Sequence, residues 1–194
     1  MANVSEKFGL RPYKTLGGHA WNNQQNEYPI ASGYSTAIFQ GDLVVPTGAG
    51  NIERYDVSGG ATVKPIGVFN GVFYTDPTTK KPTFGNYYPG SIAASDIVAN
   101  VIDDPNTLFE CQSVAGTTGQ AVIGANANAA GNANGNSTSG LSSCKIDAPN
   151  AAATAEQLRI VDVTADVDNN DISSNNVNFV VRINEHAYTT LTGI

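Results

Sequence analysis

The sequence predicts a mainly β protein, a small β-barrel or β-sandwich with an extended N-terminal arm and a low-complexity loop insert. Short apolar runs recur along the chain and are separated by glycine, proline and asparagine turn signals. Charged residues make up only 14% of the chain, whereas small and polar uncharged residues are abundant. This composition favours turns and strands over solvated helices. A length of 194 residues fits one domain with an arm and inserts.

Residues 1–26 are predicted to form the N-terminal arm. The apolar residues of this segment follow no regular period: Phe8, Leu10, Tyr13, Leu16 and Trp21. Two consecutive glycines break the segment, and a polar run follows the single tryptophan. Such a segment cannot build a core of its own. We expect it to become ordered by packing either on its own domain or on a neighbouring molecule.

Residues 27–194 are predicted to form a single β-rich domain. Its expected strands are residues 27–31, 37–39, 43–45, 52–55, 63–74, 97–102, 107–112, 158–163 and 178–184. Several of these runs alternate apolar and polar residues, as half-buried strands do. The last two runs could pair as a long hairpin. Many short strands with regular turns indicate a sandwich or a barrel.

Residues 113–153 interrupt this pattern and are predicted to be a loop-rich insert. Within them, residues 124–136 contain almost only glycine, alanine and asparagine. Large side chains that could be buried are lacking there, and glycine and asparagine destabilise a helix. We therefore expect an exposed loop.

Charge and hydropathy exclude several classes of partner. A net charge of −7 repels nucleic acid and anionic membrane surfaces, so neither is an expected partner. No apolar run reaches the about 18 residues that a bilayer requires. Residues 1–7 lack the apolar region of an export signal. Cys111 and Cys144 fit no metal spacing, and they could be two thiols or one disulfide, with free thiols favoured in a reducing cytoplasm.

No catalytic constellation is visible, so the chain is not expected to be an enzyme and no cofactor is assigned. The histidines His19 and His186 have no nucleophile motif beside them, and phosphate-binding glycine loops are absent. Asp166–Asp171 resembles a calcium loop only superficially, since the central glycine and the terminal glutamate are missing. A single cation bound by that loop stays an open alternative, and no metal site is predicted.

Several segments resemble head decoration proteins, or capsid cement proteins, of tailed double-stranded DNA phages, in particular phages of aquatic bacteria. The segments that carry this resemblance are Phe8–Pro12, Asn26–Tyr34, Ile38–Val44, Pro65–Val72, Asp103–Pro105 and Arg182–His186. The resemblance covers most of the chain except the Asn/Ala/Gly-rich insert. It implies a small β-barrel or β-tulip fold on the outside of an icosahedral shell, often assembled as trimers and without catalytic residues.

The leading hypothesis is therefore a virion structural protein that decorates the outer surface of a capsid and is made in the host cytoplasm. The expected partners are the major capsid protein and further copies of this chain as a homotrimer. The arm would become ordered on binding, with apolar anchors at its contact surface. The candidate capsid-contact residues are Phe8, Leu10, Arg11, Tyr13, Leu16 and Trp21.

Two alternatives stay open. The first is a carbohydrate-binding or host-surface-binding module that uses an exposed aromatic platform of Tyr74, Tyr87 and Tyr88. The second is another structural subunit of the head or tail, although the chain is short for a shell-forming subunit and shows no long helix.

Overall fold

Antiparallel strands build the fold, as the short apolar runs predict. The computed structural model describes residues 3–56, 64–132 and 134–189. The first ten strands are β1 Arg11–Thr15, β2 Asn26–Pro29, β3 Ile38–Phe39, β4 Leu43–Pro46, β5 Ile52–Arg54, β6 Gly67–Thr75, β7 Pro82–Gly85, β8 Tyr87–Tyr88, β9 Val98–Ile102 and β10 Thr107–Gln112. The others are β11 Asn126–Ala127, β12 Ala129–Ala130, β13 Gly135–Asn136, β14 Leu141–Ser142, β15 Lys145–Ile146, β16 Leu158–Val163 and β17 Asn178–Ile183. Short 3₁₀ helices cover Gln120–Val122, Ala148–Asn150 and Ala187–Thr189.

Two large sheets organise these strands. The first sheet has the order β1-β10-β17-β16-β11, and the second has the order β2-β9-β6-β4-β5, with β7 paired to the far end of β6. The expected C-terminal hairpin is confirmed, since β16 and β17 pair antiparallel with Leu158 opposite Ile183. Across the described residues both sheets keep open edges, so the predicted mainly β fold is confirmed as a sandwich-like arrangement and no closed barrel forms.

A sandwich core fills the space between the two sheets. The first sheet contributes alternate side chains of its central strands, such as Phe109, Phe179 and Val181, and the second sheet contributes Leu43 and Val68. Each of these side chains is at most 1% exposed. Burial of one such side chain stabilises the fold by about 1.5–3 kcal/mol, so this layer is the main source of stability.

Around β4, the second sheet is buried on both faces. Leu43 and Val45 point into the sandwich core, whereas Val44 between them points into a second cluster on the opposite face, here called the outer core. The segments that contain Ile38 and Tyr88 cover this outer core. Because both faces are covered, β4 is a continuous apolar run rather than an alternating one.

The segment expected to be an exposed loop is instead built into the fold. Ala127 and Ala129 are buried in the sandwich core, and β11 extends the first sheet. Small residues permit this because the backbone can approach its neighbours closely. A Cβ atom at Gly135 would lie only 2.2 Å from the Phe39 ring.

Asn132 fixes this segment to the second sheet through its side chain. It is fully buried, and its amide oxygen accepts a hydrogen bond from Leu43 N at 2.9 Å. Its amide nitrogen donates to Leu43 O at 3.3 Å and to Tyr55 O at 2.7 Å. The side chain therefore satisfies backbone groups that another strand would otherwise satisfy.

Asp42, directly before β4, forms a second link, which joins this part of the second sheet to Ser142 of β14. One carboxylate oxygen accepts a hydrogen bond from Ser142 Oγ at 2.5 Å, and the other accepts one from Phe39 N at 2.8 Å. Burial is the main cause that raises the pKa of Asp42 to about 7, and the two hydrogen bonds oppose it. Near neutral pH this link therefore changes its charge.

The predicted arm packs on its own domain. Residues 11–15 form β1 at the edge of the first sheet, and Leu10 is only 1% exposed within the sandwich core. Before this strand, the Gln112 side chain accepts a hydrogen bond from Glu6 N at 2.8 Å and donates one to Val4 O at 3.0 Å. The sequence left open whether the arm packs on its own domain or on a neighbouring molecule. In the single chain, the arm packs on its own domain.

Candidate docking surfaces

The edge strand β1 presents exposed apolar side chains on a fixed backbone. Tyr13 is 42% exposed and Leu16 is 49% exposed. The end of the strand is fixed because Leu16 N donates a hydrogen bond to Asn106 O at 2.7 Å. Tyr13 and Leu16 are called the β1 surface below. Both were among the predicted contact residues, and the structure leaves them available to a partner.

Arg11 and Phe8 form a small ordered cluster beside this surface. The Arg11 guanidinium lies 4.7 Å from the centre of the Phe8 ring and pairs with the Glu110 carboxylate at 2.5 Å. The Arg11 side chain is 57% exposed, so water screens the ion pair and its contribution to stability is small. The pair therefore orients the guanidinium at the surface more than it stabilises the fold.

The other two predicted contact residues have different environments. Leu10 lies in the sandwich core and is only 1% exposed, so the single chain does not present it at the surface as the contact prediction requires. Trp21 is half-buried against the same core, and its Nε1 has no hydrogen-bond partner among the described residues. The spacing of apolar residues in the sequence did not show which of them face the core and which face solvent.

A cleft opens between β1 and the second sheet. Its volume is about 220 Å³, and Phe8, Val68 and Ile102 contribute apolar walls. A hydrogen-bonded pair lies at this cleft, where Gln40 Nε2 donates to Asn70 Oδ1 at 2.9 Å. Of the described residues that line the cleft, Arg11 is the one that carries a charge, and it pairs with Glu110.

The buried polar cluster around Asp103 is structural. Tyr28 OH donates to an Asp103 carboxylate oxygen at 2.5 Å, and Asn26 Nδ2 donates to both oxygens at 2.9 and 3.0 Å. Tyr188 OH lies 2.5 Å from Tyr28 OH. Burial, with the carboxylate close by, raises the pKa of Tyr28 strongly, so its phenol stays neutral. The cluster ties β2 to the loop after β9 and supplies no base.

The histidines and the acidic loop form no reactive site in the described residues. His186 is buried, its Nδ1 accepts a hydrogen bond from Tyr188 N at 3.1 Å, and burial lowers its pKa. His19 is exposed in the turn after β1. Hydrogen bonds from neighbouring serines hold the pKa of Asp171 at about 2. Within the described ranges, no group of three or more histidine, cysteine, aspartate or glutamate residues could hold a metal ion.

The aromatic platform proposed for a glycan ligand does not exist. Tyr74 and Tyr88 are buried in the outer core, and the Tyr88 hydroxyl donates to Tyr34 O at 2.8 Å. Tyr87 is half-buried and stacks on Phe39 with 5.5 Å between ring centres. The prediction of an exposed platform from these tyrosines is therefore wrong.

Sequence reasoning missed a second apolar surface, here called the distal face. It lies on β2, β9, β6 and β7 and comprises Glu27, Val98, Asn100, Phe73 and Phe84, which line a groove of about 480 Å³. Along β9, Val98 and Asn100 share a sheet face with Ile102 of the sandwich core. Phe73 and Phe84 belong to neither core. At this end of the second sheet, the face that elsewhere packs in the sandwich core is therefore not covered by the first sheet.

Comparisons of the chain with protein-family models, with curated proteins and with solved structures found no match in any of the three. Among the described residues, no helix is both long enough and apolar enough to cross a membrane. Inference about function therefore depends on the surfaces and the chemistry of the chain itself.

Proposed function

We propose that this protein is a capsid decoration, or cement, protein that binds the outer face of an icosahedral head of a tailed double-stranded DNA phage. The observation that carries the proposal is the β1 surface, where Tyr13 is exposed on an ordered edge strand and Leu16 is exposed directly after it. The similarity of several sequence segments to head decoration proteins supports it as well. A rigid frame with exposed apolar anchors suits adhesion to a protein lattice.

The proposed mechanism is physical. Because β1 is already paired with β10, little chain entropy is lost when its surface docks on the shell. Contact with the major capsid protein across neighbouring subunits favours the assembled shell, since the ligand binds only that state. Repetition over the lattice, and assembly of this chain as a homotrimer, would strengthen contacts that are individually weak.

Binding of the purified protein to heads that lack it tests the proposal. We expect the double variant Tyr13→Ser, Leu16→Ser to co-sediment with such heads about tenfold more weakly than the wild type, because two apolar anchors are lost. The matched control is Phe84→Ser, which changes an exposed apolar residue on the distal face. Wild-type heads should also release their DNA at a higher temperature than heads without the protein.

Deletion of the whole arm is a poor test, because it would remove Leu10 from the sandwich core. Unchanged co-sedimentation of the double variant would refute the role of the β1 surface. Absence of the wild-type protein from the outer surface of purified virions, seen by immuno-electron microscopy, would refute the capsid role itself. Light scattering should give three times the chain mass of 20.2 kDa if the homotrimer forms in solution.

A further inference from the structure

The distal face has the properties of a binding groove. Phe84 is 79% exposed, which is unusual for so large an apolar side chain. Its ring lies 4.8 Å from the Phe73 ring, centre to centre, with the planes tilted by 47°. This pair forms one wall of the groove, and Val98 lies opposite Phe73 across the β6–β9 pair. A fixed aromatic pair of this kind can hold an apolar side chain.

A single carboxylate lines the same groove. Glu27 is exposed on β2, opposite Asn100 on β9. The ion pairs found within the described residues do not include Glu27. The groove therefore combines apolar walls with one negative charge that forms no ion pair within the described part of the chain. Charge complementarity calls for a ligand with a cation next to its apolar group.

The edges of the sheet limit how a partner can approach. The strands β2 and β7 flank the distal face, and they contain Pro29 and Pro82. Proline has no backbone N–H to donate, and it protects an edge strand from pairing with another chain. A partner would therefore lie on the face and use its side chains, rather than extend the sheet.

We propose that the distal face binds a partner protein through a segment that presents an aromatic or large apolar side chain next to a lysine or arginine. The apolar side chain would contact Phe73 and Phe84, and the cation would pair with Glu27. A second copy of this chain is an outcome of the test rather than the proposed occupant. The inference concerns a surface remote in sequence from β1 and does not require the capsid role.

Two matched dipeptide probes test this chemistry. Acetyl-phenylalanyl-arginine amide and acetyl-phenylalanyl-glutamate amide are titrated separately into the ¹⁵N-labelled full chain, and backbone amide shifts are followed by NMR. We expect saturable shifts at Val98 and Phe84 with the arginine probe. The dissociation constant should be about tenfold higher with the glutamate probe, since one charge-assisted contact is replaced by repulsion.

Variants separate the two components of the site. Glu27→Gln should bring the two dissociation constants to within about twofold of each other, because only the charge is removed. Phe84→Ala should weaken the binding of both probes, and the variant should keep the fold because Phe84 is 79% exposed. Val167→Ser, at an 81% exposed residue outside both surfaces, is the control that should leave both titrations unchanged.

Several outcomes would overturn the proposal. Equal binding of the two probes by the wild type, or no shift at these amides, would exclude a cation-selective groove. Shifts at Val98 and Phe84 that depend on protein concentration without any probe would identify a second copy as the occupant. Head binding is measured separately, so loss of the capsid role and loss of this groove can be distinguished.

Discussion

The central strands of the first sheet and the Asn/Ala/Gly-rich segment both reach the interior, but they are held there by different chemistry. Phe179 in β17 has no exposed surface and contributes a large apolar side chain to the sandwich core. Asn132 is equally buried, but it contributes hydrogen bonds to the backbone of Leu43 and Tyr55. A segment with few large side chains can therefore be integral to a fold, because small residues let backbones meet.

Removal of the Phe179 ring should have the largest effect on stability. Phe179→Ala leaves a cavity in the sandwich core, and we expect the free energy of unfolding to fall by about 4 kcal/mol. Chemical denaturation measures this change. Val167→Ala is the control, since Val167 is 81% exposed, and it should change stability by less than about 0.5 kcal/mol. A loss for Phe179→Ala no larger than that of the control would contradict the assignment of the main core.

Substitution of Asn132 tests whether the small-residue segment depends on hydrogen bonds. Asn132→Ala leaves buried groups of Leu43 and Tyr55 without partners, and we expect a loss of about 3 kcal/mol in denaturation. The matched variant Asn134→Ala, at an exposed asparagine two residues later, should be nearly neutral. Equal stability of the two variants would mean that the segment is not anchored by its amide side chain.

The hydrogen-bonded link between Asp42 and Ser142, beside the Asn/Ala/Gly-rich segment, should respond to pH. Asp42 has a folded-state pKa of about 7, above its ordinary value of 3.8, so the folded protein binds this proton more tightly than the unfolded chain does. The titration of Asp42 therefore contributes a loss of stability as the pH rises from about 4 to about 7. Asp42→Asn removes this titration and retains hydrogen-bonding groups towards Ser142 and Phe39.

The free energy of unfolding of Asp42→Asn, relative to the wild type, should thus increase by about 2 kcal/mol between pH 5 and pH 8. Denaturation curves at both pH values measure it, and the comparison cancels the titration of all other groups. A constant difference between the two proteins would show that Asp42 has no raised pKa.

A methyl group at the close contact between Gly135 and Phe39 should have the smallest effect. Gly135→Ala would push a Cβ atom into the Phe39 ring, which is itself stacked on Tyr87. We expect a loss of about 1–2 kcal/mol, seen as a lower thermal midpoint. At Gly48 nothing lies within 4 Å of the added atom, so Gly48→Ala should keep the wild-type midpoint. A wild-type midpoint for Gly135→Ala would show that the segment is free to move away.

Much of the strand pattern could be predicted from the sequence. Residues 107–112 and 158–163 were expected as strands, and they form β10 and β16. The missed strand β1 has a physical explanation. Its pairing with β10 shifts between Pro12 and Lys14, so the alternation that marks a strand is broken at Tyr13. A bulge of this kind leaves apolar residues without a regular period.

The docking surfaces were predicted less well, because exposure depends on tertiary contacts. Leu10 and Leu16 look alike in sequence, yet one is 1% exposed and the other 49%. Phe73 and Phe84 become neighbours only when β6 pairs with β7. The two cysteines, whose state the sequence left open, are free thiols in the buried interior. Composition indicated a mainly β fold. The tertiary structure was needed to show which side chains face outward.

Burial of β4 on both faces has a consequence for the alignment of this strand. If β4 slipped by one residue against its neighbours, Leu43 and Val45 would exchange places with Val44 between the sandwich core and the outer core. Both cores would then have to repack around side chains of the wrong size and position. The register of β4 is therefore set by packing in two interiors rather than by a contrast between an apolar and a polar face.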